Sequence, residues 1–200
     1  FVQTVLHDYM DDADSVLDPF GGTVTTGFTA TQNGLDAYYC EVNPVLQFVS
    51  DTKADIRTVS DEERKEIADD LRKLSTSFGE RIAKAKKDDS LLTAYELAFG
   101  GSEFFDEETL EEVLSAKTVV LQLEKDNRLL SSLLSVAVLS SLVPSSKLKR
   151  AGDVRFMDDD ELAEGTPSLR EEVTESLRDM ADDLAHKNAE LDEEPILLCE

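Results

Sequence analysis

The sequence predicts an α/β protein in which a partial Rossmann-like sheet carries a large α-helical insertion between its second and third strands. Two short apolar segments, at 15–17 and 35–40, flank a glycine turn and a helical stretch, the strand–turn–helix–strand order of nucleotide-binding units. From 60 to about 188, apolar residues recur at helical spacing. A last apolar run, 196–199, follows Pro195 and predicts a returning strand that is buried in a parallel sheet.

These patterns divide the chain into three segments. Residues 1–54 are expected to form half of a Rossmann-like domain, 55–190 the helical insertion, and 191–200 the returning strand of the sheet. If 196–199 is the third strand, it pairs beside the second strand, and the helical insertion connects these two strands.

The elements of the first segment follow from local signals. Residues 1–10 carry apolar side chains at helical spacing and predict a helix, and the strand at 15–17 comes after a polar turn. Residues 24–33 predict the next helix, with Gly34 as its stop, and Pro44 suits the first turn of a third helix that runs to about 54.

The insertion consists of helices that each have an apolar face or a capping signal. The longest begins near Ser60, and shorter ones are expected at 91–99, where Gly100-Gly101 ends the helix, and after Asp106. Residues 129–143 are apolar nearly all round and predict a central, buried helix. The last helix opens at Thr166-Pro167 and presents one apolar face: Leu169, Val173, Leu177, Met180 and Leu184.

The net charge is −24, with 44 acidic residues against 20 basic ones. Disorder, adaptation to high salt and an acidic interaction surface are the possible reasons for such a charge, and the clear helical period argues against disorder. The acids are spread over every segment, which favours salt adaptation over a local interaction surface. An acidic surface repels DNA in dilute salt, but about 1 M salt screens charges beyond roughly 3 Å.

Membrane and metal functions find little support in the sequence. The longest apolar stretch, 129–143, is too short to span a bilayer and contains five serines. With two cysteines, two histidines and no Cys-x-x-Cys, neither a disulfide scaffold nor a metal site is expected. We therefore expect a cytoplasmic protein without a metal or a membrane partner.

The glycine turn at 18–26 is the first candidate for a ligand site. Backbone N–H groups of such a turn, together with the N-terminus of the following helix, face a polar ligand. About twenty residues later, Glu41 ends the second predicted strand, where its carboxylate can accept hydrogen bonds from the two hydroxyls of a ribose.

Residues 18–26, which read Asp-Pro-Phe-Gly-Gly-Thr-Val-Thr-Thr, resemble the Asp-Pro-Phe-x-Gly-(Ser/Thr)-Gly-Thr-Thr signature of the amino-group DNA methyltransferases. Residues 41–44, Glu-Val-Asn-Pro, resemble the acid-x-Asn-Pro that ends the second strand of that family. The match covers residues 1–54 and extends to the last strand. It implies S-adenosylmethionine as cofactor and methylation of an exocyclic amino group, adenine N6 or cytosine N4, in DNA or, as a near variant, RNA.

The resemblance also implies the residues of a cofactor site. Glu41 is expected at the ribose and Asn43 at the adenine. Five further residues are expected to line the methionine and ribose end of the cofactor: Asp18, Phe20, Gly22, Thr25 and Thr26.

Two departures from the family pattern stand out. The second turn glycine of the family falls at Val24, where a β-branched side chain is unfavourable if φ is positive. The catalytic (Asp/Asn/Ser)-Pro-Pro-aromatic motif is absent, since none of the five prolines are adjacent. The chain is therefore expected to lack catalytic residues of its own and to depend on a downstream catalytic half of the same protein. The alternative is an inactive methyltransferase-like binding or regulatory module.

One basic stretch interrupts the acidic chain at 147–155. It is expected to be a loop, and its cations are Lys147, Lys149, Arg150 and Arg155. These side chains can either contact DNA phosphates or form ion pairs with the acidic helices around the loop. The sequence leaves both interpretations open.

Overall fold

The computed structural model describes residues 1–9, 13–186 and 197–199 of the protein. The chain is α/β and mostly helical, as predicted, and it forms two compact units: residues up to 60 together with the C-terminal strand, and residues 61–186. The first unit contains α1 (Val2–Tyr9), β1 (Ser15–Asp18), α2 (Thr25–Gln32), β2 (Asp36–Tyr39), α3 (Pro44–Arg57) and β5 (Leu197–Cys199). The second contains α4 (Asp61–Lys84), α5 (Asp89–Phe99), α6 (Glu107–Glu124), α7 (Arg128–Ser141), β3 (Leu148–Ala151), β4 (Asp153–Phe156), α8 (Asp159–Ala163) and α9 (Leu169–Ala185).

The sheet of the first unit has the strand order β1-β2-β5, and both pairings are parallel. In its register Asp18 lies opposite Tyr39, so β1 and β2 end at the same edge of the sheet. Such an edge, at the carboxyl ends of parallel strands, is where α/β proteins bind ligands.

Among the described residues, only one face of β1 and β2 is well covered. Ala37 is buried with Ala30 and Leu35, and Val16 and Leu6 pack against this cluster. On the opposite face, the exposed fraction is 64% for Leu17 and 37% for Tyr38. A doubly wound sheet has helices on both faces. The described residues therefore establish a small parallel sheet, and its assignment as part of a Rossmann-like sheet is taken up below as a proposal.

The second unit is built around the pair α4 and α9, which pack along their lengths. One face of α4 is buried: Leu71, Leu74, Phe78 and Ile82. Of the predicted face of α9, Leu169, Val173 and Leu177 are buried, together with Ala181, whereas Met180 and Leu184 are half-buried. Helix α7 packs on α6 and α9. It buries Leu130, Leu133, Leu134 and Ala137, so the predicted buried helix is confirmed for most of its length, whereas Leu139 on its other side is 37% exposed.

Three of the predicted signals for helix ends are confirmed, whereas α9 begins at Leu169 with Ser168 as its N-cap, after the predicted start at Thr166-Pro167. Asp106 caps α6 by accepting a hydrogen bond from the Thr109 N–H at 2.7 Å. Gly100 ends α5 with a φ of 58°, and Pro44 lies in the first turn of α3.

The basic stretch is a β-hairpin, which corrects the prediction of a loop. β3 and β4 pair antiparallel around Gly152, whose φ is 80°. The turn was not recognised because a single glycine between four-residue strands gives a weak signal in a polar stretch.

The predicted segment boundary at 54/55 lies inside α3, which continues to Arg57, and the unit boundary comes at 60/61. The predicted boundary at 190/191 lies outside the described residues.

Candidate functional site at the glycine turn

The glycine turn is fastened to the end of β2 by backbone hydrogen bonds. The Cys40 N–H donates to the Asp18 carbonyl at 2.9 Å, and the Gly21 N–H donates to the Cys40 carbonyl at the same distance. The Asp18 carboxylate folds back and accepts from the Phe20 N–H at 3.0 Å. The turn and the strand end that carries Glu41 therefore form one connected edge.

Gly21 is required by the close approach of an aromatic ring. A Cβ at this position would lie 2.6 Å from Cδ2 of Tyr39, which is far inside van der Waals contact. Any other residue would push the turn away from β2, so this glycine holds the turn against the sheet.

Val24 has a left-handed backbone, with φ 59° and ψ 33°, and is the one non-glycine residue with positive φ in the described part of the chain. Its side chain is fully buried, at 0% exposure. A left-handed conformation costs a residue with a Cβ roughly 1–2 kcal/mol. The position that corresponds to a glycine in the resembled signature thus has a backbone that glycine would adopt without strain.

The carboxylate of Glu41 joins the turn to the start of α3. Its Oε2 accepts from the Gly22 N–H at 2.8 Å and its Oε1 from the Asn43 N–H at 2.7 Å. Asn43 in turn caps α3 by accepting from the Val45 N–H at 2.9 Å, and the Gln47 side chain donates to the Glu41 carbonyl. Each carboxylate oxygen has a second lone pair, so Glu41 can still accept from two ligand hydroxyls.

The predicted cofactor residues lie around this edge with different exposures. Phe20 is 89% exposed, Thr25 and Asn43 are exposed, and Asp18 and Thr26 are half-buried. Gly22, half-buried, has a φ of 56°, which aims its N–H at Glu41. The turn, the acid and the asparagine are thus brought together, and the two threonines begin α2 beside them.

Two residues of α3 contact the turn that the sequence analysis did not single out. The Ser50 hydroxyl lies 3.4 Å from the Gly22 carbonyl, and the Lys53 ammonium donates to the Thr23 carbonyl at 3.3 Å. Burial lowers the pKa of Lys53. Their spacing of three residues on a helix capped by Asn43 was the available signal, since it places both on one face.

The four cations of the basic stretch lie on or beside the hairpin in the second unit, and three of them are paired. Lys147 lies 3.4 Å from Glu103, and Lys149 and Arg155 each approach Glu161 to 2.8 Å. Hydrogen bonds from Arg155 and Lys149 hold the pKa of Glu161 well below its usual range. Arg150 has no ion pair among the residues that the structure describes. The arrangement gives more weight to pairing with neighbouring acids than the sequence alone did.

Within the described ranges, no three His, Cys, Asp or Glu side chains come together in a way that could hold a metal ion. None of the helices in those ranges is both long enough and apolar enough to cross a bilayer. Comparison of the chain with protein-family models, with curated proteins and with solved structures finds no match.

Proposed function

We propose that the glycine turn binds S-adenosylmethionine, and that this chain is the cofactor-binding part of a methyltransferase that acts on an exocyclic amino group of a DNA base. The observation that carries the proposal is the hydrogen bond from the Gly22 N–H to Glu41, which joins the turn after β1 to the acid after β2. Parallel strands that end side by side in a glycine turn and a carboxylate are the elements of an adenosyl-nucleoside site. A Rossmann-like sheet with a helical insertion before β5 is the fold that we propose for them.

In this assignment the carboxylates have separate roles. Glu41 accepts hydrogen bonds from the ribose hydroxyls through the lone pairs that its two backbone contacts leave free. Asp18, with one oxygen held by the Phe20 N–H, offers its other oxygen to the ammonium group of the methionine. Phe20, Gly22, Thr25 and Thr26 line the methionine and ribose end, and Asn43 borders the adenine.

S-adenosylmethionine held by these residues would supply an activated methyl group for direct transfer to the exocyclic nitrogen of a base that has left the helical stack. The protein contributes chiefly the position of the methyl group. The Pro-Pro-aromatic motif that would hold the amino group is absent from these 200 residues, so we assign only cofactor binding to them.

A binding or regulatory module without catalysis is the second candidate. The fully buried side chain of Val24 favours it, because this side chain adds bulk at a turn where the resembled family has a glycine.

Calorimetric titration of S-adenosylmethionine in 1 M potassium chloride tests these alternatives on the natural chain and on Val24→Gly and Glu41→Gln variants. Micromolar binding by the natural chain, weakened about 10- to 100-fold in Glu41→Gln, is expected because a hydrogen bond to a charged group contributes about 1.5–3 kcal/mol. Asp51→Asn, which removes an exposed charge from α3 of the same unit, is the matched control and should bind as the natural chain does.

Binding by Val24→Gly alone would support the inactive module. If neither folded protein binds, or if Glu41→Gln binds as tightly as Asp51→Asn, the cofactor assignment is wrong.

For DNA we propose a phosphate contact at Arg150, the cation of the hairpin that has no described ion pair. Replacement by glutamate should weaken duplex binding uniformly across sequences and reduce the salt slope by about one phosphate contact. Lys73→Glu on α4, which reverses an exposed charge paired with Asp70, is the control. Equal losses in fluorescence anisotropy titrations of both variants would mean that only net charge matters.

A further inference from the structure

Helix α5 of the second unit packs incompletely on its neighbours. It contributes no buried residue, although most of its side chains are apolar. Between α5, α6 and the connection from α7 to β3 lies a cavity of about 450 Å³, which we call the α5 groove. It is lined by Leu91, Ala94, Tyr95, Ala98, Phe99, Phe104, Phe105, Leu110, Val113, Leu114, Leu142, Val143, Ser146 and Leu148.

Aromatic rings form one end of the α5 groove. Phe99 and Phe104 meet edge to face with centroids 5.0 Å apart, and Tyr95 lies 5.3 Å from Phe99 and 6.2 Å from Phe105. On its outer side Phe104 stacks on Phe156 of the hairpin at 5.4 Å. These contacts hold the ring positions without filling the space between the helices.

The two polar side chains of the lining are both used elsewhere. The Tyr95 hydroxyl donates to the Ser102 carbonyl at 2.9 Å, and the Ser146 hydroxyl donates to the Val143 carbonyl at 2.8 Å. Among the described residues, no charged side chain lines the groove. A ligand would therefore meet apolar surface, and each polar group that it buried would remain unpaired.

The charge around the α5 groove is mostly negative. Residues 88–110, which supply α5 and most of the aromatic rings, contain seven carboxylates and no lysine or arginine: Asp88, Asp89, Glu96, Glu103, Asp106, Glu107 and Glu108. Three nearby cations are each paired with one of these acids, Lys86 with Asp89, Lys117 with Asp88 and Lys147 with Glu103, so the acids remain in excess. An anionic ligand such as a fatty acid is disfavoured by this potential, whereas a neutral one is not.

We infer that the α5 groove binds a neutral, apolar small molecule. Its volume lies in the range of sites for such ligands, roughly 300–1,000 Å³, and its depth reaches Leu114 and Ser146, which are 3% and 1% exposed. This site is independent of the glycine turn, and it is defined by residues of the second unit alone.

The test uses two dyes with one skeleton. N-phenyl-1-naphthylamine is neutral, and 8-anilino-1-naphthalenesulfonate carries a sulfonate on the same ring system; both become fluorescent in apolar surroundings. We expect the neutral dye to bind the full chain with one site, and the sulfonate to bind at least tenfold more weakly in 0.1 M potassium chloride. In 2 M salt the difference should shrink, because the repulsion is screened.

Variants locate the site. Ala98→Trp and Ala94→Phe add a ring inside the α5 groove and should each weaken the neutral dye at least tenfold, with an unchanged circular dichroism spectrum. The control is Leu97→Trp, which adds a ring on the same helix at a side chain that is 82% exposed and does not line the groove.

Unchanged binding in both groove variants would overturn the inference, as would equal affinity for the sulfonate in dilute salt. Binding of several dye molecules per chain would overturn it too, since this indicates adsorption to exposed apolar side chains.

Discussion

At the residue scale, the backbone conformation at Val24 favours glycine, whereas the burial of its side chain favours an apolar residue. A φ of 59° is a conformation that glycine adopts without strain, whereas the fully buried side chain favours a residue of the size of valine. Removing two methyl groups loses about 1.6 kcal/mol of burial, and removing the Cβ as well loses about 0.8 kcal/mol more but recovers roughly 1–2 kcal/mol of strain.

We therefore predict that Val24→Gly is at least as stable as Val24→Ala, the reverse of the order that apolar burial alone would produce. Urea unfolding of the two variants and the natural chain measures the free energies. An alanine variant more stable than the glycine variant by about 1 kcal/mol would contradict the argument that backbone strain dominates at this turn.

Gly79 in α4 is a second position where a neighbour decides the residue. A Cβ there would lie 2.8 Å from Cδ of Arg170, and the Arg170 guanidinium bonds the buried Glu112 carboxylate at 2.7 Å. Alanine improves helix propensity by about 1 kcal/mol but displaces the arginine from its partner.

We predict that Gly79→Ala lowers the free energy of unfolding by about 1 kcal/mol in the natural chain, because the lost ion contact outweighs the gain in propensity. In an Arg170→Ala background the same change should stabilise by about 1 kcal/mol. A double-mutant cycle in urea measures the coupling; additive effects would show that Arg170 and residue 79 do not compete for space.

At the scale of elements, α5 depends on its N-cap. Hydrogen bonds from the Ser90 hydroxyl and the Leu91 N–H, helped by Lys117, lower the pKa of Asp88 from 3.8 to about 2. A carboxylate whose folded pKa is depressed stabilises the fold above its ordinary pKa, and that contribution is lost as the pH falls.

The N-terminus of α5 should accordingly open as the pH falls from about 4 through about 2. Hydrogen exchange of the α5 amides, compared with those of α4 at each pH, measures this opening. Asp88→Asn keeps a capping side chain but does not titrate, so its α5 protection should change less over this range. Equal pH dependence in both proteins would assign the opening to other carboxylates.

At the scale of the whole molecule, net charge dominates the electrostatics. The described ion pairs are mostly exposed and contribute about 0–1 kcal/mol each, whereas 44 acids against 20 bases leave a large excess of like charge. Salt weakens both effects, and the repulsion is the larger of the two.

The melting temperature should therefore rise from 0.05 to 2 M potassium chloride, and most steeply at the low end, where the Debye length falls fastest. Calorimetry measures the slope of melting temperature against salt for the natural chain and for a variant with four exposed acids changed to amides. The slope should be smaller in this variant, which changes Glu62, Glu66, Glu175 and Asp179. A slope that is equal in the two proteins would mean that salt acts through hydration instead of charge.

For the whole molecule, some features could be predicted from the sequence, and others were determined only by the tertiary structure. Patterns within one segment predicted the α/β class, the buried faces of α4 and α9, the Asp106 cap and the Gly100 stop, because hydrophobic period and capping depend on residues a few positions apart. They also located the glycine turn and Glu41, because the residue types of a turn and of a strand end are visible in a short stretch of sequence.

Only the tertiary structure decided how distant segments meet. It placed the Glu41 carboxylate on the Gly22 N–H, gave Val24 its left-handed backbone, paired the hairpin cations with Glu103 and Glu161, and left α5 over an open groove. Each of these depends on distances across the fold. Sequence spacing does not set such distances, because packing of whole elements determines which side chains come within hydrogen-bonding reach.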